Sequence, residues 1–550
     1  MHLTDCQAKV DFLDYRRLSG QSSLFSDFLY NFDKVSPFYT DAHLSLDRLR
    51  QRAIRLLESG RDYPRHQLAP ILEAFNRQAG AGDKAFAQID KLRSPQTVAV
   101  VTGQQLGLFG GPSYSVYKAA TVVKVAQILE KEGISAVPVF WMPSDDSDFE
   151  EVRSSSWLNS QGKHFQVEFP AHPASARMVG RTSLQGTQGC LEELRRQGLP
   201  GQFSSSMLDK LAECYSPEGD FRLGFGSWLA ALFRDQGLIL FDALSPGYKQ
   251  LVRPVFENAL LRREDILASL KQRQQELIAA GHFAQVHVDE GETLMFWIDG
   301  DKRYKLRYQD GRYHAKGNSG RSFSLEDVQA LLQDCPDCIG PNVLLRPIVQ
   351  DHLFPTAVYV GGPGEISYFS QISAISSYWG IEPAVFPRSG LTVVDRKAQR
   401  LLKRYDLDLC DLLESSRLEV TRRIVDSGES ARILEEFGCL ESEVERRLQA
   451  LQPLIRALDP PVADMLQGSG QKMVHQIKKV HDRFVKNHES RNTHLSGHLD
   501  YLYSNLLPNS KPQERVLNFN HFLALEGEGF IGTLLESLDP FAHGHHVLWI

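Results

Sequence analysis

Residues 98–151 read VAVVTGQQLGLFGGPSYSVYKAATVVKVAQILEKEGISAVPVFWMPSDDSDFEE, and this stretch decides the fold. An apolar run at 98–101 opens into a glycine-rich turn at 102–112. A helical pattern follows, and a second apolar run at 137–141 leads into an acidic cluster. The order strand, glycine-rich loop, helix, strand is typical of half of a nucleotide-binding α/β unit. Because glycines admit a ligand close to backbone N–H groups and helix N-termini favour anions, the stretch predicts an anion-binding site.

Length and charge bound the class of protein. The chain has 550 residues, too many for one ordinary core, so we expect several domains. The formal net charge of −7 gives no general attraction to nucleic acid or to an anionic membrane, so we expect neither as a partner. No apolar run is long enough to cross a bilayer, and the N-terminal residues lack the apolar core of a secretion signal. We therefore expect a cytoplasmic protein.

The cysteines are scattered, which is typical of reduced thiols in a cytoplasm. Cys335-Pro-Asp-Cys338 is the one CxxC motif in the sequence. A structural zinc site usually needs a second ligand pair, and no clear pair stands out, although His352 is near in sequence. The pattern favours a loop with two incidental thiols over a zinc site.

The rest of the chain divides by its periodicity. Short apolar runs at 237–244, 357–360 and 384–386 predict further parallel strands, and alternation at 285–315 predicts a β-meander. From Asp395 the spacing is helical, and Asp459-Pro460-Pro461 predicts the reversal of an antiparallel hairpin. The predicted segments are N-terminal helices with the first half of the core (1–158), a first insertion (159–236), a core strand and helix (237–280), a β-rich second insertion (281–345), the second half of the core (346–394), a helical coiled-coil domain (395–507) and a C-terminal segment packing on the core (508–550).

The glycine-rich turn is the sharpest motif. It is not a P-loop, since no Gly-Lys-Ser/Thr follows the spacer, and it is not GxGxxG. Gln104 and Gln105 bring amide groups to the edge of the sheet where ligands bind, so we take them as catalytic candidates. The alternative is a tight turn that needs glycine only for its positive φ. The candidates for ligand binding in this turn are Thr102, Gly103, Phe109, Gly110 and Gly111.

An acidic cluster at 144–151 follows the second strand. Its carboxylates could hold magnesium, orient an ammonium group or act as a base. The alternative is a solvated loop that caps a helix. We take Asp145, Asp146 and Asp148 as catalytic candidates, with Trp141 and Ser144 as binding candidates.

A second glycine turn, Gly361-Gly362-Pro363-Gly364-Glu365, follows a later strand. Gly362 and Gly364 are candidates for binding, and Glu365 could accept a ribose hydroxyl or a substrate amine. The alternative is a helix start with an acidic first turn. Arg388 and Lys397 could neutralise a phosphate or carboxylate, although charged residues are common after strands. We assign no residue to a metal, and the sequence leaves a metal requirement open.

Several of these motifs occur together in one order: TGQQLGLFGGPSYSVYKA, PVFWMPSDDSDFEE, YVGGPGEISYFSQ, FPRSGLTVVD and QERVLNF. Over nearly its whole length the chain resembles the BshC family of bacillithiol biosynthesis. The resemblance implies an α/β fold with a Rossmann-like core of the nucleotidyltransferase type and connective-peptide insertions. It also implies an α-helical coiled coil that forms a homodimer. The implied activity is a ligase that adds L-cysteine to glucosaminyl-malate by amide bond formation, with ATP or ADP as the expected nucleotide.

One departure from the family pattern bears on that activity. The family usually reads Glu-Asp-His-Asp-Phe where this chain has Asp145-Asp146-Ser147-Asp148-Phe149. A serine cannot replace an imidazole that titrates near neutrality. Either the histidine is not essential, or the activity differs here. Two alternatives therefore stay open: a dimeric nucleotide-binding scaffold or regulator without turnover, and a nucleotidyltransferase acting on another small acid.

Overall fold

The structure is a computed structural model that describes residues 9–40, 45–170, 175–317, 320–426, 431–491 and 493–550. The chain forms two compact units. The core unit comprises Met1–Val393 and Lys511–Ile550, and the helical unit comprises Val394–Ser510. Cys6 and part of the N-terminal segment predicted to be helical lie outside the described residues.

The strands in chain order are β1 (Lys9–Leu13), β2 (Val98–Gly103), β3 (Ala136–Met142), β4 (Ser154–Leu158), β5 (His164–Glu168), β6 (Ile239–Asp242), β7 (Glu292–Asp299), β8 (Lys302–Gln309), β9 (Arg312–Ala315), β10 (Ser322–Phe323), β11 (Ile339–Pro341), β12 (Thr356–Gly361), β13 (Val385–Pro387), β14 (Leu391–Val394) and β15 (His545–Trp549).

The α-helices are α1 (Ser23–Tyr30), α2 (Leu46–Glu58), α3 (Arg65–Gln78), α4 (Asp83–Leu92), α5 (Tyr114–Lys131), α6 (Phe149–Val152), α7 (Thr187–Gln197), α8 (Ser204–Cys214), α9 (Phe221–Leu232), α10 (Tyr248–Leu251), α11 (Arg253–Leu261), α12 (Arg263–Ala279), α13 (Leu325–Asp334), α14 (Arg346–Leu353), α15 (Pro363–Ile372), α16 (Arg396–Arg404), α17 (Leu409–Glu414), α18 (Arg417–Asp426), α19 (Ala431–Arg456), α20 (Pro460–Arg491), α21 (Thr493–Leu506), α22 (Asn520–Glu526) and α23 (Phe530–Ser537).

A parallel sheet in the order β13-β12-β2-β3-β6 forms the centre of the core unit. Strands β2 and β3 are buried along their full length, which is why their sequences are continuous apolar runs. All five strands of this sheet lie where the sequence predicts them. The α/β fold class is therefore confirmed, and the sheet is assembled from segments that are far apart in the chain.

The two predicted insertions contain antiparallel structure. Strand β5 of the first insertion forms a hairpin with β4, which immediately precedes that insertion, and the order β10-β9-β8-β7-β11 forms the sheet of the second. The helical part predicted after the core strand of the 237–280 segment consists of three helices, α10 to α12. The break before α11 follows from Pro254, which lies at the start of that helix and has no backbone N–H to donate to the preceding turn.

The CxxC motif also differs from expectation. Cys335 and Cys338 form a disulfide in the turn between α13 and β11. The interpretation as two incidental thiols was therefore wrong. The other cysteines within the described ranges form no disulfide, namely Cys190, Cys214, Cys410 and Cys439.

The C-terminal segment belongs to the core unit. Strand β15 pairs antiparallel with β1, and it also joins β14 in a three-stranded sheet. Gln513 accepts a hydrogen bond from the Val393 N–H at 2.7 Å and donates to its carbonyl at 2.9 Å, which fixes the segment to β14.

The helical unit contains the predicted antiparallel hairpin. Phe437 of α19 packs on Phe484 of α20 with ring centroids 6.4 Å apart, and Arg456 pairs with Asp464 near the turn. These pairs run in opposite directions along the two helices, so the hairpin is confirmed. Among the described helices, none combines the length and the apolar character that a bilayer crossing requires.

Candidate active site

A cavity of 650 Å³ lies in the core unit at the carboxyl ends of the parallel strands. Ligands bind at this edge in open α/β sheets, because the loops of neighbouring strands converge there. The predicted residues that line the cavity are Gly103, Gln104, Gln105, Trp141, Asp145, Asp146, Gly362, Gly364, Glu365 and Arg388. The structure therefore brings both glycine turns and the acidic cluster to one site.

Asp146 is held from two sides. The Gln105 amide Nε2 donates to one carboxylate oxygen, and Arg303 Nη2 forms an ion pair with the other at 2.5 Å. Arg303 comes from β8 of the second insertion, and its guanidinium carbon lies 4.0 Å from the centroid of the Phe296 ring. The insertion thus supplies the counter-ion of the acidic cluster.

Asp145 is buried beside two cations. Arg303 Nη1 lies 3.9 Å from Asp145 Oδ2. Burial raises the pKa of Asp145, and the neighbouring Arg303 and Lys249 cations oppose that rise. Burial likewise lowers the pKa of Lys249. In both groups, burial favours the neutral form of the side chain.

Lys118 connects the two glycine turns. It lies on α5 with only 3% of its side chain exposed, and it forms an ion pair with Glu365. Its Nζ also donates to the Gly103 carbonyl and to Gln104 Oε1, both at 2.8 Å. Burial lowers the pKa of Lys118, while Glu365 acts to raise it. The lysine therefore fixes the side-chain orientation of Gln104.

Glu365 is the first-turn acid of α15. One carboxylate oxygen accepts from the Gly362 N–H at 2.7 Å, and the other accepts from the Tyr359 hydroxyl. Together with the Lys118 ion pair, these contacts use most of its acceptor capacity. Its predicted contact with a ribose or an amine stays a prediction.

The two predicted cations have different surroundings. Arg388 lines the cavity but makes a buried bidentate pair with Glu514, with N–O distances of 2.7 and 2.5 Å. Attraction by Glu514 outweighs burial and raises the pKa of Arg388. Lys397 belongs to the helical unit, where its Nζ lies 3.8 Å from the Tyr501 ring centroid. Its predicted role in charge neutralisation stays a prediction.

The predicted residues outside the cavity lining are Thr102, Phe109, Gly110, Gly111, Ser144, Asp148 and Lys397. Thr102 Oγ1 donates to the Val360 carbonyl at 2.7 Å, and Ser144 Oγ donates to Asp242. Asp148 caps α6. These side chains form hydrogen bonds within the protein. Such structural roles agree with the alternatives left open by the sequence, namely a tight turn and a loop that caps a helix.

The same holds for the glycines of the first turn. Gly110 has φ +93°, and a Cβ there would lie 2.2 Å from Trp228. Its N–H donates to the Tyr215 hydroxyl at 2.8 Å. The carbonyl of Phe109 accepts from Asn518 and from Asn520. Packing against Trp228 therefore explains why residue 110 is glycine, and Gly111 does not line the cavity.

Several cavity residues were not predicted from the sequence, namely Lys118, Glu151, Arg303, Arg346 and Arg515. Lys118 could have been found from the sequence, because it is the one charged residue at 113–123, directly after the turn. Glu151 stood in the acidic cluster but was not chosen. The others come from segments whose position at the site depends on tertiary packing.

Arg346 is a half-buried cation of the cavity. Its guanidinium donates to Gln350 Oε1 at 3.0 Å and to the Tyr368 hydroxyl at 3.2 Å. Its central carbon lies 4.9 Å from the Tyr359 ring centroid. Within the described residues it forms no ion pair with a carboxylate, and the same is true of Arg515. The site can therefore accept an anion.

No group of three or more histidine, cysteine, aspartate and glutamate side chains with the geometry of a metal site occurs in the part of the chain that the structure describes.

The chain matches one protein family over nearly its whole length. Residues 9–389 match "Bacillithiol biosynthesis BshC, N-terminal Rossmann-like domain", and residues 391–550 match the corresponding "C-terminal coiled-coil domain". The chain belongs to the BshC family. The Rossmann-like core and the coiled-coil domain that the resemblance implied are thus confirmed.

Two BshC relatives are named "Putative cysteine ligase BshC". The protein of Chlorobaculum tepidum is 30% identical over 98% of this chain and 99% of its own length. The protein of Salinibacter ruber is 28% identical over 97% of each chain. A solved structure titled as a "putative arginyl t-RNA synthetase" from Campylobacter jejuni covers 82% of this chain with 10% identity, and its TM-score of 0.22 is too low to support a structural argument.

Proposed function

We propose that this BshC protein is a ligase that joins the carboxyl group of L-cysteine to the amine of glucosaminyl-malate. One observation carries the proposal: a single cavity presents an uncompensated cation, Arg346, and carboxylates, Asp146 and Glu151. Amide formation needs an acid and an amine side by side, and this charge pattern suits both. The names of the relatives, which call them cysteine ligases, support the same reaction class.

The chain's own residues would act as follows. Arg346 and Arg515 would hold carboxylate or phosphate oxygens, because an arginine fork binds such groups with two hydrogen bonds. Partial burial, together with Asp146 and Asp148, raises the pKa of Glu151. A carboxylate with a raised pKa is suited to take a proton from the substrate ammonium, so Glu151 would be the general base.

A nucleotide would supply the activation, because hydroxide is a poor leaving group from a carboxylate. We propose ATP as this cosubstrate, with ADP as a second adenine nucleotide to test. The Gly362 N–H is already donated to Glu365, so phosphate contacts would fall on the two uncompensated arginines. Because Asp145 and Asp146 pair with Arg303, these carboxylates do not fit a preformed magnesium site.

We also propose that the protein forms a homodimer through the helical hairpin. Large apolar side chains stay exposed on it, including Leu454 at 66%, Leu458 at 90% and Met465 at 67%. Exposed leucines in such number are typical of a helical interface. Light scattering of the full chain tests this, and Leu454→Glu should shift the mass toward that of a monomer.

The ligase activity is tested by incubating the purified protein with glucosaminyl-malate, L-cysteine and either ATP or ADP, and detecting the amide product by mass spectrometry. Asp146→Asn should abolish product formation. Asp209→Asn is the matched control, since Asp209 forms an exposed ion pair with Arg195 and does not line the cavity. Gln104→Ala should also abolish it, because Gln104 is fixed by Lys118 at the cavity wall.

The outcome separates the alternatives. Absence of product with every nucleotide and thiol donor would reject the ligase. Nucleotide binding without turnover would then favour the scaffold, and release of pyrophosphate with another small acid would favour a nucleotidyltransferase.

A further inference from the structure

The disulfide between Cys335 and Cys338 closes a single tight turn. Cys335 ends α13, and the N–H of Cys338 donates to the Cys335 carbonyl at 2.8 Å. Both cysteines are half-buried, and Asp337 between them is exposed. The sulfur pair is therefore near enough to the surface for a small solute to reach it. Within the described residues it contributes to no metal site.

This turn contacts Lys249, which lies near the cavity residue Asp145. The Lys249 Nζ donates to the Asp337 carbonyl at 3.3 Å, and its side chain is almost fully buried. A Cβ placed on Gly340 would lie 3.4 Å from Asp145 Oδ2 and 3.8 Å from Lys249 Nζ. The disulfide turn, the lysine and the buried aspartate of the cavity therefore meet around one glycine.

The chain then runs directly from the turn into the cavity wall. Cys338 is followed by β11, which pairs with β7, and the lining residues Pro341, Asn342, Val343 and Leu344 come next. The Asn342 N–H donates to the Leu294 carbonyl at 2.8 Å. Arg346 begins α14 immediately afterwards. A short stretch of chain therefore connects the disulfide turn to Arg346, so a conformational change in the turn can reach this cation through the backbone.

We propose that Cys335 and Cys338 form a thiol–disulfide exchange site for low-molecular-weight thiols. The redox state of this site determines how well ordered the cavity wall at 339–346 is, and where the Lys249 side chain lies. In the first step, the thiolate of a small thiol attacks one of the two sulfurs and gives a mixed disulfide. A second small thiolate then attacks that mixed disulfide. Two small thiols are oxidised to one disulfide, and the protein disulfide is reduced to two thiols.

The exchange does not depend on the proposed function, because it can be measured without turnover. Under the proposed function, however, the product is itself a low-molecular-weight thiol. The exchange would then couple the supply of such thiols to the site that makes them. This last consequence rests on the proposed function.

The test uses the full-length oxidised protein and two probes, L-cysteine and 2-mercaptoethanol, at millimolar concentration. Iodoacetamide trapping and mass spectrometry report the state of the two cysteines, and amide hydrogen exchange reports the order of the wall. We expect both cysteines to become alkylatable in the folded protein. We also expect exchange at 339–346 to become several-fold faster, because the covalent closure of the turn is lost.

Variants separate the exchange site from its connection to the cavity. The double variant Cys335→Ser, Cys338→Ser should show fast exchange at 339–346 whether thiol is present or not. Cys439→Ser, an exposed cysteine of the helical unit, should respond as the wild type does. In the Lys249→Met variant, the small thiol should still reduce the disulfide. Amide hydrogen exchange around Asp145 should, however, no longer change on reduction.

Two results would overturn the proposal. In the first, the disulfide resists both thiols until the protein is unfolded. In the second, it opens and exchange at 339–346 stays the same. The wild-type comparison of oxidised and reduced protein decides between these outcomes even if the double variant fails to fold.

Discussion

Lys118 and Glu365 form a buried ion pair that bridges the loops after β2 and β12. The lysine approaches from α5, and the glutamate from the first turn of α15. Lys118 also holds the Gly103 carbonyl and the Gln104 amide. The ion pair therefore joins the two halves of the core that the insertions separate in the sequence.

Removing one partner of this pair should destabilise the core unit. Lys118→Met leaves Glu365 uncompensated, and we expect the free energy of unfolding to fall by about 3 kcal/mol in a denaturant titration. The double variant Lys118→Met, Glu365→Gln should regain part of this loss. Lys124→Met is the matched control on the same helix, since Lys124 donates to the Leu535 carbonyl. Equal stability of the two single variants would contradict the prediction.

Arg346 should govern the affinity for an anionic substrate. Arg346→Met should weaken binding of glucosaminyl-malate by roughly 10- to 150-fold in isothermal titration, because a hydrogen bond to a charged group contributes about 1.5–3 kcal/mol. Arg346→Lys should restore little, since lysine lacks the planar fork. The matched control is Arg262→Met, whose guanidinium stacks on Tyr378 at 5.7 Å outside the cavity lining. Similar losses in both methionine variants would refute a binding role.

Ser147 should tolerate the family histidine. Ser147 does not line the cavity, and its N–H donates to Asp146 Oδ1 at 2.7 Å, a contact that any residue can keep. We expect Ser147→His to change kcat/KM by no more than about threefold, as is usual for substitutions away from a site. The pH–rate profile should gain no ionisation near pH ~6.5. A large gain in rate with such an ionisation would show that the histidine is functional.

Asp351 should make stability depend on pH. Burial raises its pKa from 3.8 to about 6, against hydrogen bonds from Thr356 and Gln350. Because the folded state holds this proton more tightly, the stabilisation is complete below the unfolded pKa and is lost as the pH rises through about 6. The shift of about two units corresponds to roughly 3 kcal/mol.

Asp351→Asn removes this titration. Between about pH 4 and pH 7 the free energy of unfolding of the wild type should fall further than that of this variant. The difference between the two falls should reach up to roughly 3 kcal/mol. Denaturant titrations at several pH values measure the difference. Asp209→Asn, at an exposed ion pair with Arg195, should follow the wild-type curve. If Asp351→Asn follows it as well, Asp351 is not the titrating group.

The strands of the core could be predicted because their sequences are apolar runs that end in glycine turns or acidic residues. The carboxyl ends of parallel strands share one edge, so the meeting of Gln105 with Asp146 follows from the strand order alone. The hairpin of α19 and α20 was likewise visible in its heptad-like spacing and its Pro-Pro turn.

The counter-ions could not be predicted in the same way. Arg303 lies in a β-meander whose sequence gives no sign of where the insertion docks, and Glu514 reaches Arg388 from 126 residues away. Gly110 was expected to contact a ligand, but its environment includes Trp228, which no local pattern connects to the turn. Charges and glycines can be found in a sequence, whereas their partners depend on the packing of distant segments.

The contact between Asn518 and the Phe109 carbonyl has a consequence for how the protein is made. The two residues are separated by 409 positions. At a synthesis rate of about 5–20 residues per second, roughly 20 to 80 seconds pass between the synthesis of Phe109 and that of Asn518, whose side-chain amide holds the first glycine turn. During that interval the cavity is unfinished, and a nascent chain stalled before residue 518 should bind neither substrate.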